Sequence, residues 1–183
     1  MRVIAGEFKG RQISAVRGDN TRPTTDKIKE NVFNIMGQFF EGGCVLDLFA
    51  GSGNLGIEAL SRGMDHAVFI DKNVNAIRVI KENITRLKLQ PRAEIYRNDA
   101  FKALTTLSKK NDKFDLIFLD PPYGKVSITE LIAMIMNNDL LNDNGLIMCE
   151  YSEGIEIVYD VSSLKELRHE LYGSVEILIL EKR

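Results

Sequence analysis

The chain predicts a doubly wound α/β domain built on a mostly parallel sheet, and three observations carry that expectation. From Cys44 onward, short apolar runs ("CVLDLF", "HAVFID", "AEIYRND", "FDLIFLD", "LIMCEY") alternate with helix-patterned stretches such as "NVNAIRVIKENITRLKL". That rhythm is the signature of βαβ units with helices on both sheet faces. The first run passes through a glycine-rich turn, "FAGSGNLG", into a helical pattern. The last residues, "LKELRHELYGSVEILILEK", break the rhythm and read as two strands turning at Tyr172-Gly173, an antiparallel pair at one sheet edge. A short helix in the first half of that segment is the alternative.

The N-terminal segment "RVIAGEFKGRQI" alternates loosely around Gly6 and Gly10 and predicts a short strand or hairpin. Pro23 biases Arg22 toward extended backbone, and Thr24 or Thr25 can cap the helix that follows. In that helix Ile28, Val32, Ile35, Met36 and Phe39 are expected to share one face and dock it on the core. We divide the chain into residues 1–40, a basic hairpin and helix packed on the main domain, and residues 41–183, the main domain itself. At 183 residues, 44% hydrophobic and 27% charged, it has material for one sizeable core.

Cysteine usage and hydropathy limit the setting. Cys44 and Cys149 each fall inside an apolar run, with neither zinc-ligand spacing nor the density of a disulfide scaffold, so both read as core thiols in a reducing compartment. No apolar signal segment follows Arg2 and Lys9, and no stretch approaches the ~20 apolar residues of a membrane span. A cytoplasmic monomer is expected. The net charge of -2 hides an asymmetry: residues 1–29 hold seven basic against three acidic side chains, leaving seventeen against twenty-three elsewhere. An acidic body with a basic arm suits a polyanion binder that meets phosphate on one face, and equally a solvated terminus.

The chemistry-bearing motifs fall at strand ends. Gly51, Gly53 and Gly56 satisfy the G-x-G-x-x-G pattern between a strand and a helix, a weak signal for a nucleotide-like cofactor. Asp71 ends the next run twenty positions after Gly51, where a ribose hydroxyl would be held. Asp47 precedes the glycines and can face a cationic amino group; Asp99 ends the third run and can accept from an adenine amine. An acid-lined pocket suits a sulfonium-and-ammonium cofactor, S-adenosylmethionine, better than a pyrophosphate. The same acids also serve as strand-end caps and turn formers.

The fourth run ends in "DPPY". An exocyclic base amine is a poor nucleophile because its lone pair is delocalised into the ring. If the Asp120 carboxylate and the Pro121 carbonyl both accept hydrogen bonds from it, the lone pair can turn toward an electrophilic methyl. Pro121 and Pro122 stiffen the loop, and Tyr123 can stack on the base. The competing reading is a strand-terminating turn ending at Gly124. His66 and His169 are expected to be packing or surface residues.

The ordered set "DLFAGSG", "FID", "NDA" and "LDPPY" resembles the class I S-adenosylmethionine-dependent methyltransferases that modify amino groups. With "RVIAGEFKGRQI" and "RPTTDKIKENVFNIM", nearly the whole chain resembles the RsmD family of bacterial small-subunit rRNA guanine-N2 methyltransferases. The resemblance implies a seven-stranded sheet with a reversed final strand and an N-terminal hairpin that contacts RNA. It implies a target-amine site at Asp120, Pro121, Pro122 and Tyr123. Cofactor contacts fall at Asp47, Phe49, Gly51, Ser52, Gly53, Asp71, Asp99 and Ala100, with no metal. Arg2, Lys9, Arg11, Arg22 and Lys125 are the candidates for RNA phosphate, in free small-subunit rRNA or an assembling subunit. The alternatives are an adenine-amino methyltransferase of DNA or RNA, a glutamine-amide methyltransferase, a nicotinamide-dependent oxidoreductase, and a noncatalytic RNA-binding ribosome factor.

Overall fold

A computed structural model describes residues 1–18 and 25–183. Helix α1 (Asp26–Met36) starts at the N-cap Thr25, whose hydroxyl accepts from the Ile28 amide, and stops at Gly37, which sits at φ 125°. Strands β1 (Cys44–Asp47), β2 (His66–Asp71), β3 (Ala93–Arg97), β4 (Phe114–Leu119) and β5 (Leu141–Ser152) alternate with helices α2 (Asn54–Ser61), α3 (Val74–Arg86), α4 (Ala100–Lys109) and α5 (Ile128–Asn137). Strands β6 (Leu164–Tyr172) and β7 (Val175–Lys182) complete one seven-stranded sheet in the order β3-β2-β1-β4-β5-β7-β6. Neighbours from β3 through β5 pair in parallel, and β7 runs antiparallel to both β5 and β6. The expected mostly parallel sheet with a reversed C-terminal strand is therefore what the chain forms. The C-terminal turn falls on Gly173 and Ser174, one residue later than expected, between the paired Tyr172 and Val175. Gly173, at φ 66°, supplies the left-handed residue that such a tight turn needs. The helical alternative for this segment does not occur.

The two sheet faces pack separate apolar layers. Phe118 and Met148 belong to the layer that also holds Val32, Phe33, Ile57, Ile80 and Ile84. Leu119 and Cys149 belong to the opposite layer with Leu104, Leu131 and Ile132. Two-residue alternation along β4 and β5 produces this sorting. In α1 the core side chains are Val32, Phe33 and Met36, with Ile28 and Ile35 half-buried. Phe39 departs from expectation and is 59% exposed, because the helix ends before it and the 3.6-residue period no longer applies. Phe33 takes its place, edge-on to Phe40 and Phe118.

The N-terminal segment forms a compressed hairpin without regular strands, in which Arg2 faces Gln12 and backbone hydrogen bonds run from Val3 N to Arg11 O, Gly10 N to Val3 O and Ile13 N to Met1 O. Val3 and Ile13 reach the core. Gly6, at φ 86°, lies so close to the end of α2 that a Cβ there would stand 1.8 Å from the Ser61 carbonyl oxygen. Cys149 is buried and Cys44 half-buried, both as free thiols. Among the described residues no helix is long and apolar enough to cross a membrane.

Candidate active site

Five carboxylates stand at the carboxyl ends of five neighbouring parallel strands. Asp99 follows β3, Asp71 ends β2, Asp47 ends β1, Asp120 follows β4, and Glu150 lies near the end of β5. Open α/β sheets bind ligands at this edge, where the order reverses on either side of β1.

Burial puts the Asp47 carboxyl under stress. It is 2% exposed, and its Oδ2 accepts the Gly56 amide at 3.0 Å. Desolvation pushes its pKa up to about 7, with a smaller push from the Asp71 charge; the Gly56 N–H opposes both. Gly56 is required for this approach, since a Cβ there would lie 2.4 Å from the Phe69 ring and 3.2 Å from Asp47 Oδ2. Gly53 begins α2 as its N-cap in the left-handed conformation, and Gly51 also sits at positive φ. The Gly51 amide donates to Asp71 Oδ2 at 2.9 Å, while Asp71 Oδ1 accepts from Asn73 N at 2.8 Å. Asp71 thus pins the glycine turn. Ser52 is anchored from below, its carbonyl accepting Asn83 Nδ2 at 2.9 Å, and the half-buried Phe49 packs against the α4–α5 layer.

Asp99 is the N-cap of α4, its Oδ1 accepting from Phe101 N at 3.0 Å and Lys102 N at 3.2 Å, and Ala100 is the first, buried residue of that helix. Asp71 and Asp99 therefore have structural work at their turns as well as a place on the carboxyl edge.

Asp120 is half-buried at the mouth of β4. Its carboxyl titrates well above the ordinary range, through burial first, then the Glu150 charge, then the Asp47 charge. The loop turns at Gly124, and the Lys125 amide donates to the Pro122 carbonyl at 3.3 Å. Tyr123 is 42% exposed, and its hydroxyl donates to Glu150 Oε1 over a long 3.4 Å. Pro121, Pro122, Tyr123, Glu150, Tyr151 and Ile157 help line an open cleft. Pro121, Pro122 and Tyr123 are accordingly both part of a turn and one wall of a cleft.

The basic residues divide. Lys9, Arg11 and Lys125 are exposed. Arg2 pairs with Asp26 at 3.0 Å. Arg22 lies outside the described residues. Lys29, counted in the basic arm, points inward and is fully buried against Glu58. His66 pairs with Glu94, and His169 lies between Tyr151 and Glu176.

Sequence reasoning missed Glu150, Asn83 and the buried group Lys29, Glu58 and Arg62. Glu150 had a signal, a lone charge in the apolar run "LIMCEY". Asn83 had none: it holds Ser52 and both backbone groups of Ser14, partners 31 and 69 positions away.

The chain matches the family model described as Conserved hypothetical protein 95 over residues 1–181. It is 46% identical over its whole length, and that of its relative, to YlbH of Bacillus subtilis, a candidate rRNA methyltransferase. It is 33% identical to ribosomal RNA small subunit methyltransferase D of Haemophilus influenzae, over 82% of this chain and 78% of that one. Among solved structures, a candidate methyltransferase of Escherichia coli, yhhF, superimposes with a TM-score of 0.85 at 28% identity, covering 100% of this chain and 98% of that one. A glycine turn pinned by Asp71, a carboxyl-edge row of acids and a family match along almost the full chain agree: this protein has the class I methyltransferase fold and belongs to the RsmD family.

Proposed function

We propose that this chain is an S-adenosylmethionine-dependent rRNA methyltransferase acting on the N2-amino group of a guanine in the small subunit. The observation that supports this reading is the position of Asp120 at the carboxyl end of β4, between β1, which leads into the acid-lined glycine turn, and β5, whose Glu150 lines the cleft with Pro121, Pro122 and Tyr123. The names of the related proteins support methylation of small-subunit rRNA as the reaction class.

The residues present fit the cofactor. Nothing lies within 4 Å of a Cβ built on Gly51, so the turn leaves open space beside its backbone. Around it stand acceptors for each donor of the cofactor: Asp47 for the ammonium, Asp71 for the ribose hydroxyls, Asp99 for the adenine amine. Phe49, Ser52, Gly53 and Ala100 shape the walls. The cofactor supplies a methyl group made electrophilic by its sulfonium.

The protein's own groups prepare the nucleophile. Positive charge arriving beside Asp47 and Asp120 favours their ionised forms, so Asp120 becomes a pure acceptor when the pocket is filled. Asp120 and the Pro121 carbonyl then accept the two amine hydrogens and aim the nitrogen lone pair. Tyr123 stacks on the base. The methylated nitrogen is strongly acidic and releases its proton without a potent base. Residues 1–40 serve as the RNA-docking module of the 41–183 body, through Lys9 and Arg11. Incubating the protein with labelled S-adenosylmethionine and small subunits from a strain lacking it, then digesting to nucleosides, tests the reading. N2-methylguanosine is the expected product; N6-methyladenosine, or no transfer, overturns it.

A further inference from the structure

Beside the Asp120 carboxylate stands a second one that the amine clamp does not use. Strands β4 and β5 pair in parallel with Leu119 opposite Cys149, so the next residues, Asp120 and Glu150, stand opposite each other. Leu119 and Cys149 share one sheet face, and Glu150, one step further along β5, falls on the other; its charge acts on Asp120, the first residue after β4. Neighbouring strands lie about 4.8 Å apart. Glu150 is 3% exposed yet lines the same cleft as Pro121, Pro122 and Tyr123, and it receives the Tyr123 hydroxyl.

The two amine-bearing purines differ at the position next to the amine. Guanine presents N1–H and N2–H donors side by side; adenine presents an amine beside a bare N1 lone pair. Paired carboxylates complement the first pattern and repel the second. We infer that Glu150 is the base-selecting residue of this site, accepting the N1–H of guanine while Asp120 accepts from its N2 amine. This rests on the guanine-N2 reading above and deepens it. Tyr123 is then tied into base selection, since its hydroxyl and the base edge meet the same carboxylate. A site built to accept a particular donor rejects an analogue lacking it by a large factor, because its own buried acceptor is left facing a lone pair.

The test exchanges the base as well as the residue. Small-subunit RNA is assembled by splinted ligation with guanine or 2-aminopurine at the methylated position, and offered both free and in reconstituted subunits. 2-Aminopurine keeps the 2-amino group but carries a lone pair at N1. The parent protein is expected to favour guanine by ~100-fold or more in single-turnover rate. Glu150→Gln, whose amide can donate to that lone pair, should lose guanine activity and compress the preference below ~10-fold. Equal rates on the two bases with the parent protein overturn the inference, as does a Glu150→Gln variant that slows both bases in the same proportion. Equal parent rates on the two bases overturn the inference whether or not that variant folds, and Glu150→Asp, which keeps the carboxylate but draws it back by one methylene, should likewise compress the preference where Glu150→Gln does not fold. Product identity separates the two levels: N2-methylguanosine without base preference removes only the role of Glu150, whereas a different parent product removes the guanine reading and this inference with it.

Discussion

Two groups of three ionisable side chains, one gathered on Glu58 of α2 and one at the carboxyl edge of the sheet, are built on opposite principles. Under the N-terminal hairpin, Glu58 accepts Lys29 Nζ at 3.0 Å and Arg62 Nε at 2.8 Å, and also takes the Ile4 and Ala5 amides. Lys29 further donates to the Arg2 carbonyl and Asn54 Oδ1, and Arg62 to the Gln38 carbonyl while lying 4.7 Å over the Phe33 ring. Opposite charges and backbone dipoles close this group on itself. At the carboxyl edge, Asp47, Asp120 and Glu150 bring like charges together beside a cleft, and the carboxyls of Asp47 and Asp120 are pushed upward. Compensated charges lock a segment in place, whereas concentrated like charges leave a site whose ionisation waits on a ligand.

Breaking the closed group should have the largest effect on the fold. Glu58→Ala leaves Lys29 and Arg62 buried without their carboxylate and frees two hairpin amides, a loss of ~3–5 kcal/mol. Urea unfolding should show the drop; a change below ~1 kcal/mol would mean that the hairpin is held by Val3 and Ile13 packing and by its hydrogen bonds to Ser61.

The open group should respond in the opposite sense, and with pH. The Asp47 carboxyl moves from an ordinary 3.8 unfolded to about 7 folded. Between those values the native state binds more protons than the unfolded one. Its stabilising contribution is therefore full below about pH 4 and lost as pH rises through about 7. Asp47→Asn, free of cofactor, should be more stable than the parent at pH 8 by up to ~4 kcal/mol, with the gap closing toward pH 4. A pH-independent difference would contradict the burial argument.

Asp120→Ala tests function rather than folding. Transfer should slow by ~10²-fold or more at saturating cofactor, equivalent to ~2.7 kcal/mol, with the fold retained. Asp120→Asn, which keeps an acceptor oxygen, should fall between parent and Ala in single-turnover rate with saturating cofactor and RNA. An Ala variant as fast as the parent would reduce "DPPY" to a turn.

The smallest effect belongs to the exposed arm. Lys9→Glu with Arg11→Glu should leave stability and cofactor binding unchanged while weakening RNA binding and flattening its salt dependence by ~1 unit of slope per lost phosphate contact. An unaltered salt slope would make these two charges solvated surface.

What was legible in the sequence was local. The alternation of apolar runs with helical patterns marked the strands from Cys44 to Ser152, and the acids at their ends marked the carboxyl edge, because strand ends and glycine turns are written in neighbouring residues. The sequence by itself thus determined the sheet, the position of the glycine turn, and Asp47, Asp71, Asp99 and Asp120 as its acids. The tertiary structure alone decided what pairs across distance. Lys29 counts as a basic surface residue until Glu58, 29 positions later, is folded against it, and Phe39 stays outside the core because α1 ends at Gly37. Glu150 becomes the neighbour of Asp120 only through the register of β4 on β5. Register and long-range charge pairing depend on which surfaces are buried together, and no window of adjacent residues contains that information.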